Sequence, residues 1–164
     1  MGEDKKTLEP VVSLGTLLLI AIGGRLLFNS LLVGIPSTEP VLPTALLTGI
    51  LYGSGAGALV GFLGYALSNL FLGSIGDWVV WQGLGGIIAG YVGARSNRDN
   101  YIANVVLVTI AFEIIINVYG AGYQIETAYF FSSIVFSITH IATNVLFASL
   151  FRSLWLKEEE TPKK

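Results

Sequence analysis

The chain has 164 residues, of which 53% are hydrophobic and 12% are charged, and its formal net charge is −2. A soluble domain carries about twice that charged fraction, so the composition argues against an ordinary soluble domain and indicates a membrane protein short enough to be one domain. The sequence contains no cysteine, which excludes disulfides and thiolate metal sites.

Six apolar segments, separated by clusters of Gly, Pro, Ser and Asn, follow one another along the chain. A membrane span needs roughly 20 apolar residues. The predicted spans are Val11–Val33, Val41–Tyr52, Ala56–Leu72, Trp78–Ala94, Tyr101–Tyr119 and Ala128–Trp155. We therefore expect an all-α integral membrane protein. It would be a bundle of six transmembrane helices in a single domain, 1–164, with short tails at 1–10 and 156–164.

The charges predict the orientation of these spans. With the N-terminus inside, the basic residues other than Arg25 lie at the inner side: Lys5, Lys6, Arg95, Arg98, Arg152, Lys157, Lys163 and Lys164. The charged residues in the outer segments are all acidic, namely Glu39, Asp77 and Glu126. Because basic residues mark cytoplasmic segments, both termini are predicted to be cytoplasmic, in a multi-pass protein of a prokaryotic plasma membrane.

The second span, Val41–Tyr52, is shorter than the others. At 1.5 Å per residue it covers about 18 Å, so the preceding segment 34–40 is expected to dip into the outer leaflet. Irregular backbone at that depth lines a polar cavity or is buried in protein. The alternative is a helix that begins near Ser37.

Glycines recur every four residues in the middle of the chain, at Gly49, Gly53, Gly57 and Gly61, and again at Gly86 and Gly90. Small residues at this spacing allow close helix packing in lipid. We interpret most of them as packing positions within the chain, with a tight inner turn at 53–57.

Polar and aromatic residues cluster where the third span ends and the fourth begins, within the stretch 67–90. The cluster consists of Asn69, Asp77, Trp78, Trp81 and Gln82. A membrane chain has little reason to place so many polar groups together unless a polar molecule binds there. The cluster therefore predicts one wall of an outward-facing ligand pocket, although the two tryptophans could equally be interfacial anchors.

Ionisable residues within the spans are candidates for function because they are costly in lipid. Arg25 and Glu113 lie at similar depths, so they could pair with each other or face a ligand. Asn117 shares a helix face with Glu113. His140, the one histidine, is more often a hydrogen-bonded interior residue than a metal ligand, and no Cys or second His accompanies it. We therefore expect no metal and no cofactor.

Three stretches make the sequence resemble the S components of energy-coupling factor (ECF) transporters, which capture vitamins and related micronutrients. They are GGRLLF at the end of the first span, the run from IPSTEP to SNLFLG, and WVVWQGLGGIIAG. HIATNVLF in the last span is similar to a His–Asn pattern of that family.

The resemblance implies an outward pocket closed by the first outer loop. It also implies a complex with a membrane coupling subunit and two cytoplasmic ATPases. Mapped onto this chain, the family's ligand pocket would include Glu39, Asn69, Trp78, Trp81, Gln82, Asn117 and His140. We add Glu113 to this predicted substrate-binding set because it is an acid within a membrane span.

The sequence departs from the family pattern in two places. Many S components show an Ala pair in the first helix for docking, whereas this chain has Ala21, Gly23 and Gly24 in the comparable stretch. We assign these three to partner binding. Relatives often carry an acid three residues before the last-helix His, where this chain has Ser137.

Our first hypothesis is a non-enzymatic, substrate-capturing S component. An aromatic ligand with a positive charge, such as thiamin or a precursor, suits the acids, amides and aromatics, although Arg25 could equally hold a carboxylate. A second hypothesis is a small intramembrane enzyme that acts on a lipid or isoprenoid through Glu113 and His140. A third is a structural subunit of a membrane complex. No Walker A, HExxH or GxSxG motif occurs in the sequence.

Overall fold

A computed structural model describes residues 12–31, 37–120, 122 and 127–156, except the side chains of 127, 129, 130 and 132. Six helices make up this part of the chain: α1 (Leu14–Leu31), α2 (Val41–Tyr52), α3 (Ser54–Phe71), α4 (Trp78–Gly93), α5 (Tyr101–Gly120) and α6 (Thr127–Trp155). The prediction of an all-α fold with six helices is confirmed. The predicted tails, apart from Leu156, and the outer-loop Glu126 lie outside the described residues.

Four of the helices are long and apolar enough to cross a membrane: α1, α3, α5 and the 133–155 part of α6. Large apolar side chains such as Leu19, Phe71 and Leu146 are exposed on them, as expected for surfaces that face lipid. The other two helices are shorter, with 12 residues in α2 and 16 in α4.

Helix α2 lies at the centre of the bundle. Every residue from Val41 to Gly49 is buried, and the helix contacts each of the other five. It begins at Val41, with Pro40 at its N-cap, so the alternative start near Ser37 is wrong. The physical reason is local: Ser37 has a φ of 57°, a left-handed conformation that a right-handed helix cannot contain.

The remaining helices surround α2 in the order α1, α3, α4, α5, α6. Among the described residues, α1 and α6 do not pack backbone to backbone, and segment 37–40 lies at the break between them. Thr143 of α6 donates a hydrogen bond to the Ser37 carbonyl at 3.2 Å. The rings of Phe28 and Phe147 meet edge to face across the same break, with centroids 5.1 Å apart.

Glycines let α3 and α4 approach until their backbones touch. A Cβ added to Gly61 would lie 2.2 Å from the Gly86 carbonyl oxygen, and one added to Gly90 would lie 2.1 Å from the Gly57 carbonyl carbon. The interpretation of these glycines as packing positions within the chain is confirmed. Gly53 forms the turn between α2 and α3 with a φ of 85°, so the turn is shorter than the predicted 53–57.

The two ends of the bundle differ in composition. At one end, the Tyr52 hydroxyl donates to the Val12 carbonyl at 2.6 Å, and Arg152 lies 3.9 Å from the Asp99 carboxylate. The other end holds the start of α2 and α4, the end of α5 and the first half of α6, and it contains the buried charged side chains described below.

Candidate functional site

A cavity of about 360 Å³ opens between α1, segment 37–40, α4, α5 and α6. Its lining combines charged, amide, hydroxyl and apolar side chains: Arg25, Asn29, Ser37, Glu39, Gln82, Phe112, Glu113, Ile116, Asn117, Ser133, Phe136 and His140. A volume of this order suits a small organic molecule.

Arg25 and Glu39 form a buried ion pair on one side of the cavity. The Arg25 Nε donates to Glu39 Oε2, and its Nη1 donates to the Ser68 hydroxyl at 2.7 Å. Arg25 also lies over the Tyr65 ring, with its Cζ 5.1 Å from the centroid. Both charged side chains are over 90% buried, and their pairing offsets part of the cost of removing the two charges from water.

Glu113 and His140 face this ion pair from α5 and α6. His140 Nδ1 lies 2.6 Å from Glu113 Oε1, and the Ser137 hydroxyl donates to Glu113 Oε2 at 2.6 Å. An ionised carboxylate only accepts hydrogen bonds, so the shared proton belongs on Nδ1. The contact therefore fixes the tautomer of the histidine.

The other ring nitrogen of His140 has no hydrogen-bond partner within the described part of the protein, although the residue is only 1% exposed. Glu39 Oε1 lies 3.9 Å from this nitrogen. This distance is too long for a hydrogen bond. A buried polar atom without a partner is unusual, and here it lies in the wall of the cavity.

Phe112 supplies a flat apolar surface to the cavity. Its ring stacks on Tyr65 with centroids 5.2 Å apart and meets the His140 ring edge to face at 5.2 Å. Ile116, one turn further along α5, and Phe136 on α6 extend this surface. The cavity therefore pairs a polar side with an apolar side, as is typical of sites for ring-containing ligands.

Amide side chains complete the lining. Gln82 Oε1 accepts a hydrogen bond from Asn69 Nδ2 at 2.7 Å, and the same Asn69 amide is 2.9 Å from the Tyr65 carbonyl. Asn69 thereby fixes the orientation of Gln82. Asn117 donates to the Glu113 carbonyl at 2.7 Å, within its own helix.

Comparison with known proteins identifies the family. The model of the family described as "ECF-type riboflavin transporter, S component" matches residues 11–156. This chain belongs to that family. The resemblance predicted from the sequence is therefore confirmed, and the family is one of transport subunits rather than enzymes.

Curated relatives include "UPF0397 protein" from two strains of Clostridium perfringens, ATCC 13124 and SM101. Each is 39% identical over 107 residues, which cover 61% of this S component chain and 55% of the relative. The chain thus spans about half the length of these relatives. No solved structure matches it.

Five of the residues predicted to bind substrate in this S component chain line one cavity: Glu39, Gln82, Glu113, Asn117 and His140. The structure brings them together from α4, α5, α6 and the segment before α2. It does not form the suggested pair between Arg25 and Glu113, since Arg25 pairs with Glu39 and Glu113 with His140.

Three other predicted substrate-binding residues, Asn69, Trp78 and Trp81, are not among the described residues that line this cavity. The Asn69 amide is occupied by Gln82 and the Tyr65 carbonyl. The Trp81 ring stacks on Tyr119, with centroids 6.1 Å apart. The Trp78 ring covers Gly76. The sequence places these residues near the pocket but does not show which neighbour each side chain meets.

The sequence reasoning missed several residues in the lining. Seven lining residues are not among the predicted substrate-binding residues: Arg25, Asn29, Ser37, Phe112, Ile116, Ser133 and Phe136. Helical spacing from assigned residues would have suggested three of them: Ile116 follows Glu113 by three, Phe136 precedes His140 by four, and Ser133 precedes it by seven.

The residues assigned to partner binding point in different directions. Ala21 is fully buried against α3, where a Cβ on Gly64 would contact it at 3.3 Å, and a Cβ on Gly24 would lie 2.4 Å from the Pro40 ring. These two positions serve packing within the chain. Gly23 is exposed, with no atom within 4 Å of an added Cβ, so it is the one of the three that faces outward.

Proposed function

We propose that this chain is the substrate-capturing S component of an ECF-type importer and binds a small, vitamin-like micronutrient in the cavity beside His140. The observation that carries the proposal is the cavity itself, in which ionisable side chains from four parts of the chain converge. Such groups are expensive in a membrane helix and are retained where they serve a function.

Import against a gradient needs an energy source, and the sequence contains no Walker A motif. A membrane coupling subunit and two cytoplasmic ATPases would supply that energy, as the family membership suggests. The exposed apolar surfaces of α1, α3, α5 and α6 support a multi-pass location in the plasma membrane, where some of this surface would meet the coupling subunit and the rest lipid.

Native mass spectrometry of the detergent-purified protein tests the capture role. We expect one vitamin-sized molecule per chain, retained in Thr139→Val and lost in His140→Phe. Thr139 precedes His140 but bonds only to its own helix carbonyl in the contacts described, so it is a matched control. A protein that stays empty, and that supports no uptake in proteoliposomes with its coupling subunit and ATPases, would contradict the proposal.

Gly23 tests the assigned partner surface separately from ligand capture. A Cβ added at this exposed position has no atom within 4 Å, so we expect Gly23→Leu to preserve folding and ligand binding. If α1 docks on the coupling subunit through Gly23, the Gly23→Leu variant should co-purify with less of that subunit than the unsubstituted protein. Unchanged co-purification would place the docking surface elsewhere.

The contact between Glu113 and His140 also favours a second candidate, the intramembrane enzyme. A carboxylate bonded to a histidine is an arrangement used in general acid–base catalysis. This candidate predicts turnover of a bound lipid or isoprenoid without any ATPase, and its loss in Glu113→Gln. A ligand released chemically unchanged after prolonged incubation would count against it.

A further inference from the structure

On the polar side of the cavity, His140 Nε2 has no hydrogen-bond partner in the described part of the protein, and Glu39 Oε1 lies 3.9 Å from it. We infer, building on the proposed capture function, that the ligand of this site is a planar nitrogen heterocycle that presents an N–H donor edge, from an amino or amidine group, to His140 Nε2 and Glu39 Oε1. The inference rests on the tautomer of His140, on the distance between the two acceptors, and on the charge of the lining.

The tautomer follows from the surroundings of Glu113. This carboxylate already accepts a hydrogen bond from the Ser137 hydroxyl at 2.6 Å, and His140 Nδ1 approaches its other oxygen at 2.6 Å. Two acceptor atoms cannot bond to each other, so Nδ1 carries the proton. In the neutral ring, Nε2 is then an acceptor.

The distance between Nε2 and Glu39 Oε1 agrees with this assignment. At 3.9 Å the two atoms lie beyond hydrogen-bond range, so the fold makes no bond between Nε2 and Glu39. A ligand donor nitrogen about 2.9 Å from each atom would bridge the two acceptors. Nε2 is buried and unpartnered, so a donor from the ligand would satisfy a group that the fold leaves unsatisfied.

The charges and the apolar surface narrow the ligand class. Glu39 and Glu113 face one guanidinium, that of Arg25, across the lining, so with neutral His140 the site has an excess of one negative charge. This favours a donor-rich or cationic edge over a carboxylate. Phe112, packed edge to face against His140, offers a flat surface beside the acceptors for a ring to stack on.

The side-chain nitrogens of His140 can be observed directly because the chain has one histidine. In ¹⁵N NMR spectra of the protein labelled on its histidine ring and kept ligand-free near neutral pH, we expect a protonated Nδ1 and a bare Nε2. A proton on Nε2 would overturn the inference.

Pairs of compounds that differ in the donor group then test the ligand class: cytosine and uracil, adenine and hypoxanthine, benzamidine and benzamide. Calorimetric titration should show that the amino or amidine member binds more tightly in at least one pair, by about tenfold, because the other member leaves buried acceptors unpaired. Equal binding, preference for the carbonyl member, or no binding by any amino member would overturn the proposed class.

Two variants test whether His140 and Glu39 cause the preference for the amino or amidine compound. His140→Phe keeps a ring but removes the acceptor, and Glu39→Gln removes the charge, so each should reduce the amino preference, while Thr139→Val should keep it. Circular dichroism melting curves check that each variant is folded, and the NMR result stands without any variant. If the co-purified ligand lacks an N–H donor edge, this inference fails while the capture function stands.

Discussion

At the scale of single residues, the site depends on a buried ion pair between a helix and a short irregular segment. Arg25 lies well inside α1, whereas Glu39 precedes α2 by two residues and is 6% exposed. Their contact holds segment 37–40 over the cavity. Removing one partner of such a pair leaves an uncompensated charge in a medium that solvates it poorly.

Replacing Arg25 by Met should therefore lower the free energy of unfolding by about 3 kcal/mol, and Glu39→Gln should also destabilise the protein. The double variant should lose less than the sum of the two, because neither charge is then left alone. Unfolding in SDS mixed micelles measures these values. As a control, Arg95→Met removes an exposed charge and should change stability by about 0.5 kcal/mol or less. Additive losses in the Arg25 and Glu39 double variant would argue against a stabilising ion pair between them.

Asn69 is expected to affect ligand binding indirectly, by holding the Gln82 side chain in position. It does not line the cavity but fixes Gln82 through a 2.7 Å hydrogen bond. We expect Asn69→Ala to weaken ligand binding by about threefold to tenfold, the worth of one hydrogen bond. Once Gln82 has been replaced by Ala, the same change should have little further effect, and calorimetric titration of the four proteins measures this. An equal loss in both backgrounds would show that Asn69 acts independently of Gln82.

At the scale of helices, glycine decides how α3 and α4 meet. At Gly61 and Gly86 no side chain separates the two backbones, which gives the close contact that small residues permit in membranes. Because α4 also carries Gln82 into the cavity, the position of this helix against α3 sets the width of the site.

The Gly61→Ala variant should be destabilised by about 1–3 kcal/mol, since the added methyl group would overlap the Gly86 backbone and force the helices apart. Gly55→Ala is the matched control on the same helix, because nothing lies within 4 Å of its added Cβ. Its stability should be unchanged or slightly higher, as alanine favours helix. SDS unfolding of both variants measures the difference, and equal stability of the two would rule out the steric argument.

At the scale of the whole molecule, charge is distributed unevenly between the two ends. Arg95, Arg98 and Arg152 lie at the end opposite the cavity, while Asp77 lies in the loop before α4. By the positive-inside rule we propose that the arginine end is cytoplasmic, which would place the cavity toward the outer face. This is the orientation that capture of an external nutrient requires.

The absence of cysteine makes this orientation directly measurable. Single cysteines placed at Ser74 and Asn97, both exposed in loops at opposite ends, should respond differently to a membrane-impermeant maleimide applied to intact cells. We expect labelling at position 74, and labelling at 97 only after permeabilisation. The unsubstituted chain is the control for background labelling, and the reverse pattern would invert the proposed topology.

The sequence by itself determined the helices. Apolar segment lengths and Gly, Pro and Asn breaks predicted six elements, and even the short helix Val41–Tyr52 was given its observed bounds, because Pro40 and Gly53 flank it. Spacing also identified the glycines that pack α3 on α4. These are properties of neighbouring residues in the chain, so local chemistry is enough to predict them.

Only the tertiary structure decided which polar residues share the cavity. Similar depth along their helices suggested a pair between Arg25 and Glu113, and nothing in the sequence pointed to Glu39 as the partner of Arg25. The fold places Glu39 beside Arg25, 14 residues away, and Glu113 beside His140, 27 residues away. It also turns Trp81 toward Tyr119 and away from the cavity. Such pairings depend on how helices rotate and pack about α2, a long-range outcome that local patterns do not encode.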